Sequence, residues 1–271
     1  MSNQSILIIG TVWVEPNSSA AGSRMLQLIE LFLQQNWKIT FASAAQKTEN
    51  SKSLKKIGVN EKQIELNASS FDNFIKTLQP NIVLFDRFMM EEQFGWRVVE
   101  NCPNALRILD TEDLHFLRKT RYHQLKKGEE FTNEALLKAN ETKREIASIL
   151  RCDLSLIIST YEMKLLKEIF KIDENLLYYL PFLLDKIDKN KIQRWKPYEE
   201  REHFVFIGNF FHQPNIDAVL TLKKNIWTKI RKFLPKAELH IYGAYMSQQI
   251  LQLHNKKEGF IVKGFAEDVK V

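Results

Sequence analysis

Short, nearly unbroken apolar runs alternate with longer stretches in which apolar residues return every three or four positions. The runs fall at 5–10 (SILIIG), 38–43 (KITFAS), 81–86 (NIVLFD), 105–110 (ALRILD) and 153–159 (DLSLIIS). Four to six such residues in a row suit strands of a parallel sheet covered on both faces. Between them, residues 21–35 carry Met25, Leu28, Ile29, Phe32 and Leu33 at helical spacing, and 130–150 reads as one long charged helix. A weaker strand is predicted at 63–66 and a short helix at 71–78. The β–α recurrence predicts a doubly wound α/β domain.

The pattern breaks at 185–202 (DKIDKNKIQRWKPYEERE), which is polar apart from two isoleucines, Trp195 and Tyr198. This is the best linker in the chain. The alternation then restarts, with strands predicted at 203–208, 238–243 and 260–263 and helices at 214–233 and 247–254. The organisation expected is a first Rossmann-like domain over 1–190, a linker at 191–202 and a partial second one over 203–271.

Composition narrows the class. The 271 residues are 44% hydrophobic and 27% charged with Gly 9 and Pro 7, which excludes collagen-like and disorder-dominated chains. Cys102 and Cys152 are too few for a disulfide scaffold and suit a reducing compartment. The start, MSNQSILIIGTVWV, lacks a basic n-region and a small-residue cleavage site, and no stretch reaches the roughly 18 apolar residues of a membrane span. The expected location is the cytoplasm, with contact at the inner membrane face left open. Thirty-nine Lys and Arg against 33 Asp and Glu give a formal charge of +6. Six of these cations lie between Lys223 and Lys236, but no nucleic-acid recognition module accompanies them, so nucleic acid is not an expected partner.

Three constellations stand at strand ends, where doubly wound folds bind ligands. The first is the loop with EPNSSAAGSR, which offers Ser18, Gly22 and Arg24 before a helix. The absence of GxGxxG and of GxxxxGK[ST] there excludes a classical dinucleotide or P-loop site. A guanidinium such as Arg24 can hold phosphate or carboxylate in two-point fashion, while the serines equally suit a turn and helix cap. The second is Asp110-Thr111-Glu112-Asp113-Leu114-His115, three carboxylates and an imidazole directly after a strand. Asp113 is placed to cap the next helix, and His115 and Asp110 are the candidate catalytic groups. As a metal site the run is poor, and His123, His203, His212, His240 and His254 lie scattered along the chain, so no metal is expected. The third opens the second domain: Gly208-Asn209-Phe210-Phe211-His212-Gln213-Pro214-Asn215, a strand, a glycine turn and a proline-led helix start, a geometry for backbone N–H contacts to phosphate or sugar. Asn215 or Asp217 would cap that helix, with Trp227 and Ile230 packing it down. Gly243, after ELHIY, is a fourth strand-end loop.

These segments resemble the retaining glycosyltransferases of the family-4 type, which have two Rossmann-like domains. ILIIGTVWVEPNSSAAGSRMLQL resembles the family's opening strand and loop, and ILDTEDLHFLR its acceptor-side segment. FVFIGNFFHQPNIDAVLTLKKNIWTKIRKFLPKAELHIYG resembles the start of its donor domain, with Gly208, Pro214, Asn215, Asp217, Ala218, Trp227, Pro235 and Gly243 in register, and GFIVKGFAED the next strand and turn, with Gly264, Phe265 and Asp268. The resemblance implies a GT-B-like α/β fold and transfer of a hexosyl group, with retention, from a nucleotide sugar to a saccharide, lipid-linked or small-molecule acceptor. It implies acceptor-side roles for Ser18, Gly22, Arg24, Glu112 and Asp113, and donor-binding roles for Gly208, Asn209, His212, Asn215 and Gly243. No cofactor or metal is implied. The loop after Gly208 has Asn209, His212 and Gln213 where the family carries basic residues for the diphosphate, and the family's paired-glutamate motif and returning helix have no counterpart here. The expectation is therefore a second domain cut short, little transfer by these 271 residues alone, and, as the competing reading, a non-catalytic fragment or binding module. An epimerase of similar two-domain shape is a third reading.

Overall fold

The computed structural model describes residues 4–184 and 187–266. The chain forms two compact units: one comprises residues up to Val14 together with Arg24–Leu183, the other Glu15–Ser23 together with the chain from Leu184 onward.

The first unit is built on seven parallel strands, β1 (Ser5–Gly10), β2 (Lys38–Ser43), β3 (Asn60–Gln63), β4 (Ile82–Asp86), β5 (Leu106–Asp110), β6 (Leu154–Ile157) and β7 (Leu177–Tyr179), in the order β3-β2-β1-β4-β5-β6-β7. The chain runs from β1 outward through β2 and β3, then returns to β4 on the other side, so the topological switch lies between β1 and β4. The apolar runs predicted as strands form the central five. Their side chains alternate between two buried clusters: Leu7, Ile9, Val83, Phe85 and Leu109 face one, Ile6, Ile8, Ile39, Phe41 and Leu84 the other. That double burial is why these strands read as continuous apolar runs.

The connecting helices are α1 (Ala20–Gln34), α2 (Ser70–Leu78), α3 (Phe88–Asn101), α4 (His115–Lys127), α5 (Asn133–Lys138), α6 (Asn140–Arg151) and α7 (Thr160–Glu168). Two expectations need correction. The stretch 130–150 is two helices, because Thr132 caps α5 by accepting from the Ala135 amide and Ala139 is extended, restarting the helix at Asn140. The outer strand lies at Asn60–Gln63 rather than 63–66: its residues are polar and half or fully exposed, so periodicity carries no trace of it.

Within 187–202 the structure has a short helix α8 (Lys189–Ile192) and a 3-10 turn (Tyr198–Glu200). The second unit then carries three parallel strands, β8 (Phe204–Ile207), β9 (Leu239–Tyr242) and β10 (Phe260–Gly264), in the order β10-β9-β8. Helices α9 (Gln213–Thr221) and α10 (Thr228–Phe233) are joined by a π-helical turn, Leu222–Trp227, and α11 (Gln248–Leu251) precedes β10. Trp227 is buried against Leu239, Ile241 and Phe260 and donates its indole N–H to the Glu258 carbonyl at 2.7 Å. Asp268, matched to the family above, lies outside the described residues.

Candidate functional site

The carboxyl ends of β1, β4 and β5 meet at the switch point of the first unit. Gly10 ends β1 where a Cβ would strike the Phe41 ring and the Val12 carbonyl, so only glycine lets the chain turn there. Thr11 then bonds to Asp86 twice: its amide donates to Oδ2 at 3.0 Å and its hydroxyl to the backbone carbonyl at 2.9 Å. Arg87 follows with φ 72 and Glu112 with φ 62, both in the left-handed region that β-carbon-bearing residues seldom occupy. Two such residues at neighbouring strand ends are a mark of a site held in a fixed shape.

Arg24, on the first turns of α1, reaches Asp110 at the end of β5. Its Nη2 lies 3.3 Å from Oδ1 and its Nε 3.4 Å from Oδ2, and both side chains are 0% exposed. The remaining Nη1 donates to the Pro181 carbonyl at 3.0 Å, and the Phe182 ring lies 5.8 Å from the guanidinium carbon. Full burial pushes the Asp110 carboxyl above the ordinary range, against the pull of Arg24. Glu112 is pushed up to about 8 by burial and by the neighbouring Asp110 and Asp86 carboxylates, with Arg87 and Arg24 opposing. One oxygen each of Asp86 and Glu112 is buried without a hydrogen-bond partner. The cluster thus holds one carboxyl kept protonated at neutral pH beside fixed cations, an arrangement able to donate a proton or a hydrogen bond to a ligand.

The rest of the Asp110–His115 run is engaged with other groups of the first unit. Thr111 ties β5 to β6 through the Leu156 carbonyl at 2.9 Å. Asp113 does not cap α4; it takes both ends of the Arg118 guanidinium, the shorter bond at 2.6 Å. The free amides of α4 are instead met from other helices: Glu162 accepts from Leu114 at 2.9 Å, and Glu145 accepts from His115 at 3.3 Å and Phe116 at 2.8 Å. Burial pushes Glu145 up to about 8 and raises Glu162 as well. His115 is buried with its ring edge-on to Phe88, and desolvation brings it down to about 4, with Arg118, Arg87 and Lys119 adding to the effect and Asp113 opposing.

Ser18 and Gly22 fall in the segment that groups with the second unit. Ser18 donates to Glu15 Oε2 at 2.7 Å, and Gly22 packs so tightly on the Glu15 backbone that any Cβ would collide with it. In the same unit Asn209 is fully engaged: its Nδ2 donates to the Ser18 carbonyl at 2.8 Å, its Oδ1 accepts from the Phe211 amide at 2.8 Å, and its carbonyl accepts from Asn215 Nδ2 at 2.9 Å. Gly243 lies against the Gly208 carbonyl with no room for a Cβ, so the β8 and β9 strand ends approach backbone to backbone. The cap position of α9 is His212, which makes no side-chain cap bond, rather than Asn215 or Asp217; Asn215 instead buttresses the Gly208–Asn209 turn, and Asp217 accepts from Gln213 at 3.0 Å. Phe211 stacks on Tyr245 at 4.1 Å, and Tyr245 donates to Glu15 Oε2 at 2.9 Å.

Arg24, Asp110 and Glu112 are therefore brought together; His115 and Asp113 sit beside them, and Gly208, Asn209, Asn215 and Gly243 form a separate group. Sequence reasoning missed Asp86 and Arg87, although Asp86 closes an apolar run as Asp110 does and the same strand-end argument selects it. It also missed Glu145 and Glu162, which no local pattern marks. Among the described residues, one group has metal-ligand spacing, His203 with Glu238 and His240, whose ligand atoms lie within 4.8 Å of one another. Three residues read as scattered or passed over in sequence thus converge.

No protein-family model matches this chain, and no curated protein matches it. Solved structures do. WaaG, a glycosyltransferase involved in lipopolysaccharide biosynthesis, superposes with a TM-score of 0.61 at 9% identity over 98% of this chain and 71% of its own. A glycosyltransferase from Rickettsia africae ESF-5 gives 0.59 at 12% identity over 100% of this chain and 70% of its own. The S. aureus MnaA–UDP co-structure gives 0.54 at 13% identity, covering 96% and 68%. The chain therefore has the α/β fold expected from its alternation, in the GT-B-like form its resemblance implied, and spans about 70% of each of these three proteins.

Proposed function

We propose that this protein is a glycosyl-transferring enzyme that takes a hexosyl unit from a nucleotide sugar, with retention, in the manner of the family-4 type. The observation that supports this most is the likeness to glycosyltransferase structures along nearly all of its length. The UDP in the MnaA co-structure makes uridine diphosphate the natural first nucleotide to test for binding. On this reading Gly208, Asn209, His212, Asn215 and Gly243 serve the donor. The start of α9 would face the departing diphosphate with its positive helix end, and no metal is invoked there. Ser18, Gly22, Asp110, Glu112, Asp113 and His115 serve the acceptor, with Asp110 and His115 nearest the chemistry. Arg24 acts as a positioning residue, because Asp110 and Pro181 already occupy its guanidinium. A saccharide, lipid-linked or small-molecule acceptor fits this reading, nucleic acid does not enter it, and a cytoplasmic location accords with two buried, unpaired cysteines. No helix among the described residues is long and apolar enough to cross a membrane.

A second reading, a binding module that does not turn over, is favoured by the outer face of the three-stranded sheet, where Val205 and Ile207 are more than half exposed. Calorimetry with UDP, GDP and ADP, followed by donor hydrolysis and transfer assays, separates the two. The enzyme reading expects nucleotide binding that Gly208→Val weakens at least about tenfold, and product of retained anomeric configuration. Binding without turnover of any donor supports the module; no binding of any nucleotide overturns both.

A further inference from the structure

The histidine and carboxylate group of the second unit lies at the amino ends of β8 and β9, the opposite strand ends from Gly208 and Gly243. Its geometry is written into the sheet. Glu238 and His240 are two residues apart on one strand and so project from the same face. The Phe204 amide donates to the Glu238 carbonyl at 2.8 Å and Phe204 pairs with Leu239, which sets His203 across from Glu238 on that face. His240 is held between Val205 and Ile261 on the flanking strands. His240 Nε2 lies 2.7 Å from Glu238 Oε2, His203 Nε2 lies 4.0 Å from the same oxygen, and the two imidazoles are 5.0 Å apart between centroids.

We propose that His203, Glu238 and His240 bind a divalent transition-metal ion, zinc in the first instance, through two imidazole nitrogens and one carboxylate oxygen. Ligands 2.0–2.2 Å from a tetrahedral zinc lie about 3.3 Å from one another. The spacings here straddle that value, and modest side-chain rotation closes the three onto one ion. Each side chain is partly exposed, which leaves an entry path and room for a water as fourth ligand. Two imidazoles with one carboxylate favour zinc, cobalt or copper over magnesium or calcium, which want all-oxygen sites. Lys263 lies near enough for its charge to act on Glu238, and that charge opposes a cation there. The ion would cross-link the start of β8 to β9, fastening the edge of the small sheet, with no part in sugar transfer.

The test is calorimetric titration of the untagged, chelator-stripped chain with zinc chloride, repeated with magnesium. One equivalent of zinc is expected to bind, with magnesium giving no heat. Cobalt should give the visible absorption of a tetrahedral site. His203→Gln and Glu238→Gln should each weaken zinc binding at least about tenfold, while His123→Gln, at an exposed position in the first unit, should not. All three changes are at partly or fully exposed positions, and circular dichroism confirms that the variants stay folded. Failure of zinc to bind, or unchanged affinity in both site variants, overturns the proposal. Neither outcome bears on nucleotide binding or transfer, which are read separately.

Discussion

A fully buried arginine–aspartate pair is stable only as a pair. Arg24 and Asp110 have both left water, and removal of one partner strands the other charge, a loss of roughly 3–5 kcal/mol. Arg24→Met should therefore lower the urea midpoint of the first unit sharply, whereas Arg24→Met with Asp110→Leu should restore most of it. A double variant no better than the single one would assign the cost to the Pro181 contact instead. Protonation supplies a second prediction at this scale. Glu145 and Glu112 titrate near 8 in the folded chain against 4.5 for the free side chain. The stability they contribute is full below about 4.5 and is lost as pH rises through 8. His115 works in the other sense: its contribution is complete above 6.5 and is lost as pH falls toward 4. Between pH 6.5 and 8 only the carboxyls act, so the first unit should become less stable as pH rises across that window. Glu145→Gln, which still offers an oxygen to the Phe116 amide, should flatten this slope in denaturation midpoints; an unchanged slope would assign it to other groups.

Elements differ in how much of themselves they show in sequence. The five strands β1, β2, β4, β5 and β6 are legible because burial on both faces favours apolar side chains at most of their positions. β3 is invisible, since NEKQ sits half or fully exposed at the sheet edge, and β7 is three residues long with two of them exposed. The helix expected at 130–150 breaks at Ala139, whose sequence gives no warning; Thr132, a strong cap, does. The candidate site follows the same logic. Loops directly after apolar runs were found, and partners from distant elements, Glu145, Glu162 and the cross-strand His203, were not, because register and packing bring them in. Trp227 was legible as a packing residue, and the structure adds its bond to the Glu258 carbonyl. Trp227→Phe should cost about 1–2 kcal/mol by leaving that carbonyl unmet, and Trp227→Ala about 3–5 kcal/mol by opening a cavity under β9. Thermal melts followed in the second unit distinguish the two; no loss in Trp227→Phe would mean the indole N–H contributes nothing.

At the scale of the molecule the two units differ in how well their sheets are enclosed. The central strands of the first are buried on both sides, while β8 is an edge strand whose outer face carries exposed Val205 and Ile207. Amide exchange tracks local opening, so the amides of Ile6–Ile9 and Val83–Phe85 should exchange far more slowly than those of Phe204–Ile207. Equal protection in both sets would show the small sheet to be as cooperative as the large one.

The arginine that closes the first unit also sets an order in time. Its aspartate lies 86 residues downstream and the carbonyl that takes its last N–H 157 residues downstream. Contacts so far apart along the chain form late, and during synthesis the acceptors leave the ribosome long after α1. A nascent chain halted before residue 181 has every central strand but holds Arg24 short of one acceptor, with water still able to reach the ion pair, so the last stretch of the first unit is also the step that seals it.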